Sequence, residues 1–90
     1  MTHDRRLIKN MLTFLKFISN DLRINIIEFL DGKTRSYDQI KNDLNVDEEK
    51  LKGQIEILRK ADFIIQEEND NQIFYKIKDK RIIKILELLY

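Results

Sequence analysis

The sequence contains no cysteine and no proline, and its glycines are limited to Gly32 and Gly53. Without cysteine the chain has no disulfide bonds, no thiolate metal ligands and no cysteine nucleophile. Proline and glycine are the residues that most strongly interrupt regular structure, so their scarcity argues against long irregular loops. These absences predict a mostly helical chain with short connections.

Long apolar segments are also absent from the sequence. The uninterrupted apolar runs are a few residues long, whereas a membrane-spanning helix needs roughly 20. The first ten residues carry charges without the continuous apolar segment that a signal peptide requires. The sequence therefore predicts no membrane span and no signal peptide, and it favours a cytoplasmic protein.

The chain has few residues that support catalysis or metal binding. His3 is the single histidine, and the sequence shows neither a glycine-rich phosphate loop nor a plausible nucleophile–base pair. A metal sensor would need a cluster of cysteine or histidine ligands. We therefore expect a protein that is not an enzyme and uses no metal and no cofactor.

The overall composition is that of one small folded domain, residues 1–90. Apolar residues make up 42% of the chain and charged residues 37%, a mixture that supports a modest hydrophobic core. The net charge is only +1, whereas a protein that coats nucleic acid non-specifically is usually far more basic. Bulk charge is therefore not the main means by which this protein binds a partner.

Helical periodicity dominates the first half of the chain. Apolar residues cover more than half of the surface of a first helix, about 4–18, which indicates that it packs against two partners. A second helix, about 22–31, has candidate N-caps at positions 19–21 and a stop at Gly32. A short extended link, 33–35, precedes a third helix, about 37–44, opened by a capping box of Ser36 and Gln39 and ended by Asn45.

The second half begins with a helix, after which the spacing of the apolar residues changes from helical to extended. Asp47 caps a fourth helix, about 48–61, with Leu51, Ile55 and Leu58 on its inner face. Two runs of β-branched and aromatic residues, 63–67 and 72–77, flank a polar connection at 68–71, which predicts a hairpin over about 63–78. Asp79 caps a last helix, about 79–90.

The motifs in this order resemble those of the ArsR-like family from about Phe17 to Ile77. SNDLRINIIEFLDG resembles the opening helix of that family, and SYDQIKNDLNV resembles the first helix of its helix-turn-helix unit. DEEKLKGQIEILRKADFI is similar to the recognition helix, and QIFYKIKD to the second strand of the wing. The resemblance implies an α+β, mostly α, winged helix-turn-helix domain. Its parts are a helix-turn-helix at about 36–61, a wing at about 63–78, and dimerisation helices at about 4–18 and 79–90.

The resemblance further implies a transcription regulator that binds double-stranded DNA. The recognition helix, about 48–61, would lie in the major groove, and the start of the preceding helix would offer backbone N–H groups to phosphate. Gln54 would pair with adenine, and lysines would contact guanine or phosphate. The implied DNA-binding residues are Lys33, Arg35, Ser36, Tyr37, Lys50, Lys52, Gly53, Gln54 and Lys76.

The first and last helices carry more apolar surface than one domain of this size needs. In regulators of the resembled kind these two helices build a homodimer, which places two recognition helices about 34 Å apart on a palindrome. The alternative is a monomer in which both helices fold back onto their own domain. The candidate residues, for domain core or dimer interface, are Leu7, Met11, Phe14, Ile82, Ile83, Leu86 and Leu89.

Acidic residues on the predicted recognition helix and wing keep a second function open. Asp47, Glu48, Glu49 and Glu56 belong to the helix segment, and Glu67, Glu68 and Asp70 belong to the wing. Phosphate neutralisation supplies most non-specific DNA affinity, and an acidic wing would repel the DNA backbone. The alternative function is a protein-protein interaction module whose acidic helix and wing bind a basic protein partner.

Overall fold

The computed structural model describes Arg5, Lys9, Leu15, Lys16 and residues 19–89. The four isolated N-terminal residues are helical, as expected within the predicted first helix, and all four are exposed, including the apolar Leu15. The order of elements within 19–89 is that of a winged helix-turn-helix. The elements are α1 (Asp21–Phe29), β1 (Arg35–Ser36), α2 (Tyr37–Leu44), α3 (Glu48–Lys60), β2 (Ile64–Asn69), β3 (Gln72–Ile77) and α4 (Arg81–Leu89).

Local side-chain hydrogen bonds set the boundaries of α2. The Ser36 hydroxyl accepts a hydrogen bond from the Gln39 backbone N–H at 3.1 Å, and the Gln39 side chain accepts one from the Ser36 N–H at 2.8 Å. Asn45 ends the helix in the left-handed conformation, with φ 50°. The capping box and the Asn45 stop predicted from the sequence are therefore confirmed.

Similar caps fix the neighbouring helices. The Asn20 side chain accepts from the Arg23 N–H and begins α1, and Gly32 has a φ of +68° just after that helix ends. Asp47 accepts from the Lys50 N–H at the start of α3. Short capped connections thus hold α2 and α3 together as the helix-turn-helix pair.

The described strands form an antiparallel sheet in the order β1-β3-β2. In β1, Arg35 pairs with Tyr75 and Ser36 pairs with Phe74, so the segment that precedes α2 is tied to the wing. The sequence predicts an extended link here but does not predict this strand pairing. The paired residues are far apart in the sequence, so no local sequence pattern reveals that they pair.

The wing has a tighter turn than the sequence predicted. The pairing of β2 with β3 continues to Asn69 and Gln72, so the turn consists of Asp70 and Asn71 alone. Both residues have positive φ, 50° and 64°, as a type I′ turn requires. The predicted four-residue connection at 68–71 was therefore wrong in length, because Glu68 belongs to the strand and pairs with Ile73.

The hydrophobic core lies where the helices meet the base of the sheet. The predicted inner stripe of α3 is confirmed, since Leu51 and Leu58 are fully buried and Ile55 is 3% exposed. Helix α4 adds Ile82 and Leu86 to the same core. The other buried apolar residues are Ile24, Ile26, Ile27, Leu30, Ile40, Ile64 and Tyr75.

Candidate nucleic-acid interface

The face of α3 turned away from the core carries Lys50, Lys52 and Gly53, all of them exposed. They alternate with the buried stripe because the helix repeats every 3.6 residues. A Cβ atom built on Gly53 meets nothing within 4 Å. The glycine thus satisfies no requirement inside the domain and leaves the middle of the helix open to close approach by a ligand.

Glu48 partly neutralises the basic residues at the start of α3. Its carboxylate lies 3.3 Å from the Lys52 ammonium and 3.8 Å from the Lys41 ammonium. The hydrogen bond from Lys52 and the positive charge of Lys41 lower the pKa of Glu48. A phosphate that binds these lysines must therefore compete with an internal carboxylate.

Gln54 is bound to another helix rather than held open for a base. The Arg23 Nε atom of α1 donates to the Gln54 Oε1 atom at 2.6 Å, and the Gln54 side chain is half-buried. Bidentate recognition of adenine needs both the oxygen and the amide nitrogen of a glutamine. In this conformation one lone pair of the oxygen already accepts from Arg23, so adenine pairing would use the second lone pair or break the bond to Arg23.

Ser36 and Tyr37 lie at the start of α2, as predicted, but their side chains face inward. Ser36 is 8% exposed, and its hydroxyl belongs to the capping box. The Tyr37 hydroxyl is buried, and burial first, then the negative charge of Glu48, raise the pKa of Tyr37. The Lys52 ammonium lies 6.0 Å from the centre of the Tyr37 ring. Both side chains therefore lie below the exposed surface of the site.

A groove of about 440 Å³ separates α3 from the wing. Lys52 and Gly53 form its helix side, and Ile73, which is 39% exposed, belongs to the wing side. Tyr37 and Tyr75 also line it, and burial raises the pKa of Tyr75. The groove brings three of the predicted DNA-binding residues together: Tyr37, Lys52 and Gly53.

Lys33 and Lys76 line a different pocket, together with Lys80 and Lys84. Arg35 has a packing contact of its own, since its guanidinium carbon lies 4.5 Å from the centre of the Phe29 ring. The Arg35 Nε atom is buried and has no hydrogen-bond partner within the described part of the chain. The structure therefore places Lys50 and Lys52 on α3, Lys33 and Lys76 at a pocket near α4, and Arg35 against Phe29.

The wing is acidic in the structure as in the sequence. Glu67 of β2 binds Lys76 of β3 across the hairpin, with 2.7 Å between carboxylate and ammonium. Glu68 and Asp70 are exposed towards the tip. The pair formed by Glu67 reduces the positive charge that Lys76 presents to a ligand.

The predicted interface residues on α4 differ in exposure: some are buried in the domain core and one is exposed. Ile82 and Leu86 are 3% and 5% exposed and belong to the domain core, and Ile83 is half-buried. Leu89 is 47% exposed, and it adjoins Leu88, which is 84% exposed. The remaining candidates, Leu7, Met11 and Phe14, lie outside the described residues.

Within the described part of the chain, no helix is long and apolar enough to cross a membrane. Among the same residues, no group of three or more histidine, cysteine, aspartate or glutamate side chains is arranged to hold a metal ion.

Solved structures share this architecture over nearly the whole chain. The transcriptional regulator HlyU from Vibrio vulnificus superposes with a TM-score of 0.83 at 22% identity, covering 94% of this chain and 92% of that chain. The transcriptional repressor BigR from Xylella fastidiosa gives 0.83 at 20% identity, covering 94% and 84%.

A third structure is described as a homodimeric winged helix-turn-helix DNA-binding domain from Mycobacterium bovis, a possible ArsR-family transcriptional regulator. It gives a TM-score of 0.78 at 16% identity, covering 98% of this chain and 83% of that chain. No family model matches the sequence, and no curated protein matches it. The structural neighbours thus confirm the predicted resemblance at the level of the fold, which is a winged helix-turn-helix.

Proposed function

We propose that the protein is a homodimeric transcription regulator that inserts α3 into the major groove of double-stranded DNA. The observation that carries the proposal is the exposed face of α3, where Lys50 and Lys52 flank a glycine with open space in front of it. The HlyU and BigR structures, which share the fold, belong to a transcriptional regulator and a transcriptional repressor. The proposed regulator uses no metal and no cofactor.

Electrostatics support this surface as the DNA contact. Lys50 takes part in no ion pair among the described residues, so its charge is available to phosphate or guanine. Lys41 and Lys52 lie on either side of Glu48 and would exchange that carboxylate for a DNA phosphate. The start of α2 adds backbone N–H groups to the same surface.

The double variant Lys50→Glu/Lys52→Glu tests the DNA contact. Fluorescence anisotropy with a labelled duplex should show affinity lower by about 100-fold, because each lost base or phosphate contact is worth about 1–3 kcal/mol. The control Lys9→Glu/Lys80→Glu changes the net charge equally at two exposed positions that lie outside α3 and do not line the groove between α3 and the wing. Equal losses in the two variants would overturn the assignment of this face.

The exposed acidic wing favours a second candidate function, an interaction module that binds a basic protein. Glu68 and Asp70 present negative charge near the tip of the hairpin, and Glu67 lies beside them on β2. The variant Glu67→Lys/Glu68→Lys separates the two functions. A DNA-binding protein should gain duplex affinity from it, whereas an interaction module should retain no duplex and lose affinity for a lysine-rich peptide.

A further inference from the structure

A second pocket, of about 450 Å³, lies between the turn that follows α1, the end of β3 and α4. Its volume falls within the range of roughly 300–1,000 Å³ that small-molecule sites occupy. None of the exposed α3 residues Lys50, Lys52 and Gly53 lines it. The residues that line it are Leu30, Asp31, Gly32, Lys33, Thr34, Lys76, Ile77, Lys80, Ile83, Lys84 and Glu87.

The charge around this pocket is predominantly positive. Four lysines face two carboxylates, those of Asp31 and Glu87. Lys76 is paired with Glu67, but Lys33, Lys80 and Lys84 form no ion pair within the described residues. Like charges gathered around one cavity repel each other, and a bound anion relieves that repulsion.

The position of the lysines on α4 strengthens the positive field. Lys80 directly precedes α4, and Lys84 lies about one turn into it. The N-terminal end of a helix carries a partial positive charge, so lysines there are unfavourable and anions are favourable. The Asp79 carboxylate accepts a hydrogen bond from the Arg81 backbone N–H at this end of α4 and offsets part of that field, so the lysines supply most of the positive charge at the cavity.

The pocket also has an apolar floor. Ile77 of β3 and Ile83 of α4 are half-buried and line it beside Leu30. A free inorganic ion would leave this floor in contact with water. A ligand with an apolar body would cover the floor while its charged head reaches the lysines.

We propose that this pocket binds a small organic anion with a phosphate or carboxylate head and an apolar body. The head pairs with Lys33, Lys80 and Lys84, and the body packs on Ile77 and Ile83. The site gives Lys33 a ligand other than DNA, and it does not depend on the proposed DNA-binding function.

The test uses 1-naphthyl phosphate and 1-naphthoate as probes, with backbone amide NMR spectra of the intact chain. Binding should shift the amide resonances of residues 30–34, 76–77 and 80–87 and leave those of α3 in place. Comparing the two probes shows which head group the lysines prefer. Inorganic phosphate should bind at least about tenfold more weakly than 1-naphthyl phosphate, because it lacks the apolar body.

A charge-matched pair of variants identifies the residues. Lys33→Gln/Lys84→Gln should weaken binding of the preferred probe by about tenfold or more, since two charge-assisted contacts are lost. Lys50→Gln/Lys60→Gln removes the same charge elsewhere and should change the affinity less than about twofold. All four substitutions are at exposed positions, so the fold should persist in both variants.

Three results would overturn the proposal. The first is a set of shifts scattered over the surface without a preference for the pocket. The second is an equal loss of probe affinity in the two variants, which would indicate attraction to net charge alone. The third is a loss of duplex affinity in Lys33→Gln/Lys84→Gln as large as that caused by Lys50→Glu/Lys52→Glu, which would assign the pocket lysines to the DNA surface.

Discussion

Gly53 occupies the interior of α3, where glycine is about 1 kcal/mol less favourable than alanine. A Cβ atom at this position has open space around it. We therefore predict that Gly53→Ala raises the free energy of unfolding by about 1 kcal/mol, measured by urea denaturation. The same variant should bind duplex DNA more weakly, because the added methyl group meets the DNA that approaches the helix.

The other glycine provides the control for this prediction. Gly32 has a φ of +68°, a conformation that strains an alanine, so Gly32→Ala should lower the free energy of unfolding by about 1 kcal/mol. A Gly53→Ala variant that is more stable and binds DNA as well as the wild type would show that Gly53 is not a contact residue.

Glu48 competes with DNA phosphate for the lysines near the start of α3. Glu48→Gln releases the Lys52 and Lys41 ammonium groups and should raise duplex affinity severalfold, measured by fluorescence anisotropy at moderate salt. Glu28→Gln is the matched control, since Glu28 is exposed on α1 and the change in charge is identical. Equal gains in the two variants would show that only net charge matters.

The stability of helix α4 depends on a titratable residue, Asp79, at its start. The Asp79 carboxylate accepts from the Arg81 backbone N–H and from the Arg81 guanidinium. The hydrogen bond from the Arg81 guanidinium has the larger effect and the one from the Arg81 backbone N–H the smaller, and together they lower the pKa of Asp79 to about 2. Because the folded-state pKa is below the unfolded value, the stabilisation is complete above about pH 4 and is lost as the pH falls towards 2.

Asp79→Asn should remove this pH dependence. Urea denaturation at about pH 6 and about pH 2.5 should show a larger loss of stability on acidification in the wild type than in the variant. The substituted amide does not ionise, but its side-chain oxygen can still accept from the Arg81 N–H. Identical losses in the two proteins would show that the Asp79 carboxylate does not stabilise the start of α4.

The helices could be predicted from the sequence to a greater extent than the sheet. Ser36, Asn45 and Asp47 act on backbone groups at most four residues away, so their effects are visible in a short window of sequence. β1 consists of Arg35 and Ser36 alone and exists because β3 lies beside it. The hydrogen bond between Arg23 and Gln54, which are 31 residues apart, is likewise a product of the packing of α1 against α3.

The candidate site could be predicted only in part. The exposed lysines of α3 follow from helical periodicity and lie where the sequence placed them. The grouping of Lys33 with Lys76 and Lys84 could not be predicted, because it depends on how the turn after α1 meets β3 and α4. Nor could core be separated from interface on α4, since both kinds of residue share its apolar pattern.

The whole molecule should be a dimer held partly by the exposed apolar side of α4. Leu88 is 84% exposed, and its neighbour Leu89 is 47% exposed, so both are available to a second copy. We predict that Leu88→Glu shifts the protein from dimer to monomer in sedimentation equilibrium, because a charge cannot be buried at an apolar interface without a partner. The domain should stay folded, since Leu88 is not part of the core.

Ile57→Glu is the control for the dimer. Ile57 is 36% exposed on α3, outside the proposed interface. It should leave the sedimentation behaviour unchanged. A monomeric wild type, or a Leu88→Glu variant that dimerises as the wild type does, would contradict an interface on this side of α4.

Selection of duplexes from a random-sequence DNA library by the purified protein, at moderate salt and followed by sequencing, tests the central claim most directly. A dimer with one recognition helix in each of two successive major grooves should enrich an inverted repeat, with half-sites about one helical turn, roughly 34 Å, apart. The Lys50→Glu/Lys52→Glu variant should enrich nothing. Absence of any enriched sequence from the wild type, together with no retention of duplex at low salt, would contradict the account and favour a basic protein partner on the acidic wing.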